Sequence, residues 1–393
     1  MEHRKAELRL ALLSGVGPRL RQRLLEHFGT AENVFRASRA QLQQVKDIGE
    51  KLSQAIYDAV DKINIDAELE RFRQLKIRLI FMNDPEYPPL LKEIYDPPSI
   101  LFVKGKILPE DFISLAVVGT RHATHYGQRQ TKRLVEEFVR AKFSIISGLA
   151  RGIDAYAHRA ALEAGGRTIA VLGHGLAVNI YPPENAGLAE NILRSGGALV
   201  TEFSPFTTPS PGTFPQRNRI ISGMSLGTVV VEAGLRSGAS ITAKNASEQG
   251  REVFAVPGPV DSRASAGCHK LIRDGAKLIE SVEDVLDEIT SLPSILSPSS
   301  ANENEPTSSE IPFGGERISA SSRDAEQKIT RPAALQLSDL EKKIIAHIPS
   351  EGCTVDLLAQ RTETPIHLLV TTLTMLEMKR LVKRSHGQQV FKL

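Results

Sequence analysis

The sequence predicts a mixed α/β protein built on a doubly wound, mainly parallel sheet, with a helical unit before it and a winged helix after it. Three observations predict this. Between Ile77 and Ile289, runs apolar on both faces alternate with helical patterns; Ala116-Val117-Val118, Ile169-Ala170-Val171-Leu172 and Val229-Val230-Val231 are examples. Such runs suit parallel strands covered by helices on each side, and right-handed crossovers put those helices on both faces. Ahead of this region, Glu7 to Asp66 reads as short helices with glycine turns. Behind it, a stretch rich in Ser, Pro, Asn and Glu gives way to compact patterning from Ser338 onward. With 393 residues, two or three domains are expected. Their predicted limits are 1–70 for the helical domain, 77–290 for the sheet domain, 291–337 for a flexible linker and 338–393 for the winged helix.

The formal charge is only +3, so attraction to an anionic partner must come from local clustering. The two cysteines, Cys268 and Cys353, match no metal spacing and imply a reducing compartment. The first residues lack an apolar run with a cleavage site, and no apolar run approaches the ~20 residues of a membrane helix. A soluble, cytoplasmic protein with no membrane contact is the expectation.

Taken in order, Ser14-Gly15-Val16-Gly17-Pro18 and Lys46-Asp47-Ile48-Gly49-Glu50-Lys51 are two similar turns. Each leads into a helical pattern, Leu20, Leu24 and Leu25 after the first and Leu52, Ile56 and Val60 after the second. The pair looks like helix-hairpin-helix units of the SAM-like type. Such hairpins can offer backbone N–H groups to a phosphate, or can serve packing alone. Predicted strands follow at 77–82, 100–103, 115–119, 144–147, 168–172, 199–202, 228–231, 252–256 and 277–279. Among the helices between them, Gly127–Lys142 carries Leu134, Phe138 and Val139 on one stripe. In the C-terminal part, Ser338-Asp339-Leu340-Glu341 reads as a capping box. A second helix lies near Thr354–Arg361, and Pro365 opens a third through Leu369, Leu373 and Leu376. A hairpin with Gly387 in its turn completes a winged helix. From Pro365 onward, Lys379, Arg380, Lys383, Arg384 and Lys392 face one acid, Glu377. That bias suits nucleic acid, while a protein-docking winged helix remains equally open.

Three segments carry the chemistry. Gly119-Thr120-Arg121 follows one strand, Ser147-Gly148-Leu149-Ala150-Arg151-Gly152-Ile153-Asp154 follows another, and Thr213-Phe214-Pro215-Gln216-Arg217-Asn218-Arg219 precedes a strand ending in Glu232-Ala233-Gly234. Loops beyond the carboxyl ends of parallel strands are where a doubly wound fold binds ligands. Arginines on several of them point to one anionic pocket, since a guanidinium forks two donors onto a phosphate. Ser237-Gly238-Ala239-Ser240-Ile241-Thr242 offers small and hydroxyl residues at a helix start, with Lys244 close behind. Asp154 is expected to cap its helix. His158, four residues on, has no third ligand in view, so no metal is expected. Gly173-His174-Gly175 lacks the third glycine of a dinucleotide fingerprint. Tyr126 offers a ring for a base or for packing. The expected binding set is Gly119, Arg121, Gly148, Arg151, Arg217, Asn218, Arg219, Ser240 and Lys244, with no catalytic residue and no cofactor. Removing Arg121 and Arg217 together is expected to leave the fold intact.

Six segments in order then carry a family resemblance: Gly119-Thr120-Arg121 with Tyr126-Gly127, 147–154, 214–221, Glu232-Ala233-Gly234 with 237–243, 250–258 and 267–276. Together they resemble the DprA/Smf family from Tyr87 to about Ile289. The resemblance implies an extended Rossmann fold that dimerises and binds single-stranded DNA. It also implies loading of the RecA recombinase onto that DNA, with displacement of single-strand-binding protein, during natural transformation. Arg121 matches the family's loop arginine, and Arg217 and Arg219 match its paired arginines. His269 stands where the family commonly has asparagine, and Pro183 where some members have lysine.

Two other function classes stay in view. A nucleotide-processing enzyme on the same sheet would use Glu202 and Glu232 as acid and base, although Glu232 reads better as a cap or an arginine partner. The chain lacks a Walker A lysine motif, HExxH and a cysteine cluster. A transcription regulator would work through the C-terminal winged helix and bind duplex DNA.

Overall fold

The computed structural model describes residues 2–235, 237–290, 339–349, 353–362, 364, 369, 372–373, 376, 381–385 and 389–392. Residues 1–289 form one compact unit and residues 290–393 a second. The expected linker at 291–337 lies outside the described residues, as do Ser338, Lys379, Arg380 and Gly387.

Six helices open the chain: α1 (Glu2–Leu12), α2 (Pro18–Phe28), α3 (Ala31–Arg36), α4 (Arg39–Leu42), α5 (Glu50–Lys62) and α6 (Ile65–Gln74). Local sequence fixes their starts. Thr30 and Asn64 accept from backbone N–H groups in the first turns of α3 and α6, and Ser38 forms a capping box with Gln41 at α4. Each supplies an acceptor that the first turn lacks. Gly17 and Gly49, from the two similar turns, are the N-caps of α2 and α5. Helix α6 runs to Gln74, past the predicted limit of the helical domain at residue 70.

These helices close a small core of their own around Leu10, Leu24, Val34, Leu42 and Ile56. They also share a second one with the sheet: Leu8, Ala11, Ile65 and Phe72 pack with Phe102, Leu149 and Leu172. Phe72 meets Phe102 edge-on at 5.9 Å between ring centroids. The helical segment is thus fastened to one face of the sheet.

The sheet has nine strands: β1 (Arg78–Phe81), β2 (Ile100–Gly105), β3 (Ser114–Gly119), β4 (Ser144–Ser147), β5 (Thr168–Val171), β6 (Ala198–Thr201), β7 (Gly227–Val231), β8 (Glu252–Ala255) and β9 (Lys277–Leu278). Every predicted strand is present, with ends shifted by a residue or two. Their order is β1-β2-β6-β5-β4-β3-β7-β8-β9. From β6 to β9 all neighbours are parallel; β2 is antiparallel to β6 and β1 to β2. The chain builds outward from β3 through β4, β5 and β6, then crosses back to lay β7, β8 and β9 on the other side of β3. That reversal makes the carboxyl ends of β3 and β7 the topological switch point, where open α/β sheets hold ligands.

The remaining helices of this unit are α7 (Pro89–Lys92), α8 (His125–Arg140), α9 (Ile153–Glu163), α10 (Ala186–Arg194), α11 (Thr213–Gly223), α12 (Gly238–Glu248), α13 (Ala266–Arg273) and α14 (Val282–Thr290). On α8 the buried stripe is Leu134, Val135 and Phe138; Val139, expected there, is only half-buried. In the second unit, α15 (Asp339–His347), α16 (Val355–Thr362) and the strands β10 (Cys353–Thr354), β11 (Val382–Ser385) and β12 (Gln389–Lys392) surround a core of Ile344, Leu358, Leu369, Leu373, Leu376, Val382 and Val390. β11 and β12 pair antiparallel, as the expected wing requires.

Phe72 joins the helical segment to the sheet, so Phe72→Ala should empty a fully buried position. A loss of about 3–5 kcal/mol in unfolding free energy is expected by urea titration.

Candidate nucleic-acid interface

Three strand-end loops meet at the switch point, and their own side chains lock them. Glu232, just past β7, has a left-handed backbone with φ 55°. Its carbonyl accepts from Thr120 N at 2.7 Å. Its carboxylate accepts from Thr124 N at 2.9 Å and from the Thr124 hydroxyl, so it caps the start of α8. Gly127 passes so close to this carboxylate that a Cβ would strike it. The loop after β4 is held from two sides. Asp154 accepts from Gly148 N at 3.1 Å and Ala150 N at 3.4 Å. The side-chain amide of Asn185 donates to Leu149 O at 2.9 Å and Ala150 O at 3.1 Å. Asp154 was expected to cap its own helix; it lies inside the first turn of α9 and folds back onto the preceding loop instead. Ile153 N then reaches Thr120 O at 3.1 Å, tying the β4 loop to the β3 loop.

The segment with the paired arginines is helical. It forms most of α11, which crosses the carboxyl ends of the strands. Residues two apart on a helix point about 200° apart, so Arg217 and Arg219 cannot share a face. Arg217 turns inward and is 4% exposed. Its Nη1 donates to Gly148 O at 2.7 Å and also to Val171 O. Burial lowers its pKa to about 10, opposed by the charge of Asp154, so it stays cationic at neutral pH. Gly148 packs against this guanidinium with no room for a Cβ. Arg219 turns to the other side, where it pairs with Glu202 and, at 3.2 Å, with Asp96. Arg21 of α2 is buried nearby and donates to Ser99 Oγ at 3.2 Å. Burial pushes the Glu202 carboxyl above its ordinary value, with Arg219 and then Arg21 opposing.

A cavity of about 650 Å³ opens between these elements. Its walls are Gly119 to His122 at the end of β3, Ala150 and Asp154 after β4, Ser237 to Ala239 with Ile241 and Thr242 at the start of α12, Pro209 to Pro211 leading into α11, and Phe214 and Asn218 on α11 itself. Tyr181 lines it too, 5.6 Å from Phe214 between centroids. Arg121 is exposed at the rim with its guanidinium 6.0 Å from the Phe214 ring centre. Among the described residues, no carboxylate forms an ion pair with it.

Residues 78–290 match the family model described as DNA recombination-mediator protein A, residues 7–62 a SAM-like helix-hairpin-helix tandem, and residues 328–388 the DprA winged helix domain. The chain belongs to the DprA/Smf family. It is 35% identical to Protein Smf of Synechocystis over 96% of both chains. It is 45% identical to the DNA processing protein DprA of Bacillus subtilis, over 56% of this chain and 74% of that one. The crystal structure of DprA from Streptococcus pneumoniae superposes with a TM-score of 0.62 at 37% identity, covering 72% of this chain and 97% of that one.

In this DprA/Smf chain, four of the nine expected binding residues line the cavity: Gly119, Arg121, Arg217 and Asn218. Gly148 lies behind Arg217 as its carbonyl partner. Arg151 pairs with Glu184 on the surface, and Lys244 with Glu248 at 3.5 Å. Ser240 turns to the capping residue Ser237, 3.1 Å between hydroxyls. Arg219 is a buried structural cation. Burial also overturns the expectation that Arg217 can be removed without harm to the fold, because truncating it would strand two strand-end carbonyls. Tyr126, left open between stacking and packing, donates its hydroxyl to Pro257 O. His158 is buried against Thr168 Oγ1 at 2.6 Å, and burial lowers its pKa to about 3, so it is a neutral structural residue. Neither Glu202 nor Glu232 lines the cavity. Among the described residues, no group of three or more His, Cys, Asp or Glu could hold a metal ion. The sequence reading missed Phe214, Tyr181 and the prolines of the wall. The one signal for them was an aromatic ring next to proline in Phe214-Pro215 and Tyr181-Pro182.

Glu202→Ala would leave Arg219 and Arg21 buried without their main counter-charge. A loss of about 3–5 kcal/mol is expected in chemical denaturation, with a thermal midpoint well below that of the parent chain.

Proposed function

We propose that this chain holds single-stranded DNA in the cleft at the carboxyl ends of β3 and β7. We further propose that it acts as a mediator rather than an enzyme, loading RecA recombinase onto the strand and displacing single-strand-binding protein. The observation that carries the reading is Arg121. It is an exposed cation with no described carboxylate partner, set beside the Phe214 and Tyr181 rings at the mouth of the cavity. A single strand presents both things this rim can hold, a charged backbone and an unpaired base face. Duplex DNA hides its base faces. The buried Arg217 supports the site from below by keeping positive charge under the cavity floor. The start of α12 adds the N–H groups of its first turn, with Asn218 Nδ2 bonded to Gly238 O at 3.3 Å.

Arg121→Ala should weaken binding of an oligo-dT strand by about 1.5–3 kcal/mol, the value of a charge-assisted contact. The slope of log affinity against log salt should become shallower by about 0.7, as for one lost phosphate on a single strand. The same variant should fail to speed RecA assembly on strands coated with single-strand-binding protein, while its melting temperature stays at the parent value. Undiminished affinity in a fluorescence anisotropy titration would remove Arg121 from the site.

The reading includes a homodimer. Strand β9 is an edge of the sheet, both its residues are exposed, and Leu278 is 42% exposed there. A large apolar side chain left in water at that edge gains by burial against another chain. Leu278→Glu is expected to shift sedimentation velocity from dimer to monomer; a parent chain that sediments as a monomer at micromolar concentration would oppose the dimer.

A further inference from the structure

Residues 203–212, between β6 and α11, cross from the helical side of the molecule to the cleft. Pro209, Ser210 and Pro211 face the cavity. The early part of the segment is tied by backbone bonds to the loop after β5: Gly175 N to Thr207 O and Ala177 N to Pro205 O, each 2.8 Å. Its far end closes a turn, Thr213 Oγ1 to Ser210 O at 2.9 Å, and the next residue is Phe214 of the cavity wall. Phe206 stands within the first of these anchors, between the bonded residues Pro205 and Thr207, and is 37% exposed. The Arg71 guanidinium lies 3.8 Å above its centroid, within stacking distance. Arg71 belongs to α6 of the helical segment. Its ion-pair partner there, Glu68, sits 3.9 Å away on the same helix. An arginine stacked on a phenyl ring holds it by charge and by area together.

Position matters more than strength here. Phe206 precedes Pro209 by three residues and Phe214 by eight, so an error in its placement is carried along a short tether into the wall. Helix α6 itself is seated on the sheet through the buried Phe72, one residue from Arg71. A rigid element therefore grips the cleft wall from outside the cavity.

We infer that Arg71 is a positioning residue for the cleft: by stacking on Phe206 it braces the 203–212 wall in the shape that receives a nucleic-acid strand. This rests on the single-strand reading above. Arg71 does not line the cavity, so it acts through Phe206 and not on the strand.

The test uses the full chain and Arg71→Ala, Phe206→Leu and the double variant, with oligo-dT as the probe. Deuterium exchange across residues 203–212 should quicken in both single variants without any DNA present. Strand affinity should fall about two- to fivefold in each, the population shift that an exposed cation–π contact commands. The double variant should bind no more weakly than either single, and the salt slope should equal that of the parent, because no phosphate contact is lost. Arg71→Lys, which keeps the cation, should recover part of the affinity. Unaltered exchange and affinity in Arg71→Ala would overturn the inference. So would a shallower salt slope, which would put Arg71 on a phosphate, or additive losses in the double variant, which would make the two residues independent. If the parent chain binds no single strand at all, the functional reading fails, and the exchange measurement still decides whether the brace exists.

Discussion

The cleft depends on one buried cation. The Arg217 guanidinium sits where β4 and β5 end, donating to a carbonyl from each side, Gly148 O and Val171 O. A buried guanidinium is tolerated only where hydrogen bonds and a counter-charge replace water. Here the carbonyls supply the first and Asp154 the second. Asp154 in turn holds the N–H groups of the very loop whose carbonyl Arg217 binds. Helix α11, the loop after β4 and the first turn of α9 are thereby fixed to each other. Glycine at 148 is the steric condition, since any Cβ there would strike the guanidinium.

With Arg217 committed to the scaffold, the division of labour along α11 follows from helical geometry. Arg217 faces the strand ends, Arg219 faces a separate buried ion cluster, and Asn218 lies between them toward the cavity. The same short segment thus seats the helix on both flanks. Among the described residues, Arg121 is the lining cation that meets solvent at the rim, on a loop fixed by Glu232 and by Ile153. A guanidinium on a stiff loop loses less freedom on binding a phosphate than one on a mobile loop, which is the advantage of a preorganised site. The wall opposite is built differently. It is a proline-rich strap without regular structure, held at one end by backbone bonds and the Arg71 stack and at the other by a turn.

Much of the fold was legible in the chain. Apolar runs of three or four residues alternating with helical patterns suit strands buried on both faces, and Thr30 and Ser38 mark helix starts by side-chain bonds that span three residues. Gly119 and Gly148 were legible as members of loops that follow strands; their close packing against Ile153 and Arg217 was not. Arg121 stood out as a loop arginine directly after a strand. Other features were not legible because they depend on partners distant in sequence. Arg151 and Arg219 look alike as letters, yet Glu184 pairs with the first and Asp96 and Glu202 with the second. Phe214 and Tyr181 are 33 residues apart by number and meet only because α11 folds across the end of β5.

By itself, then, the sequence determined the strands, several helix starts, the parallel character of the sheet and the loops that meet beyond its carboxyl ends. These depend on periodicity and on hydrogen bonds that span a few residues. Only the tertiary structure decided that Arg217 and Arg219 are scaffold and that Arg121 is exposed at the rim. A guanidinium is assigned by the carboxylates and carbonyls that reach it, and those arrive from other strands and other helices after the chain has folded.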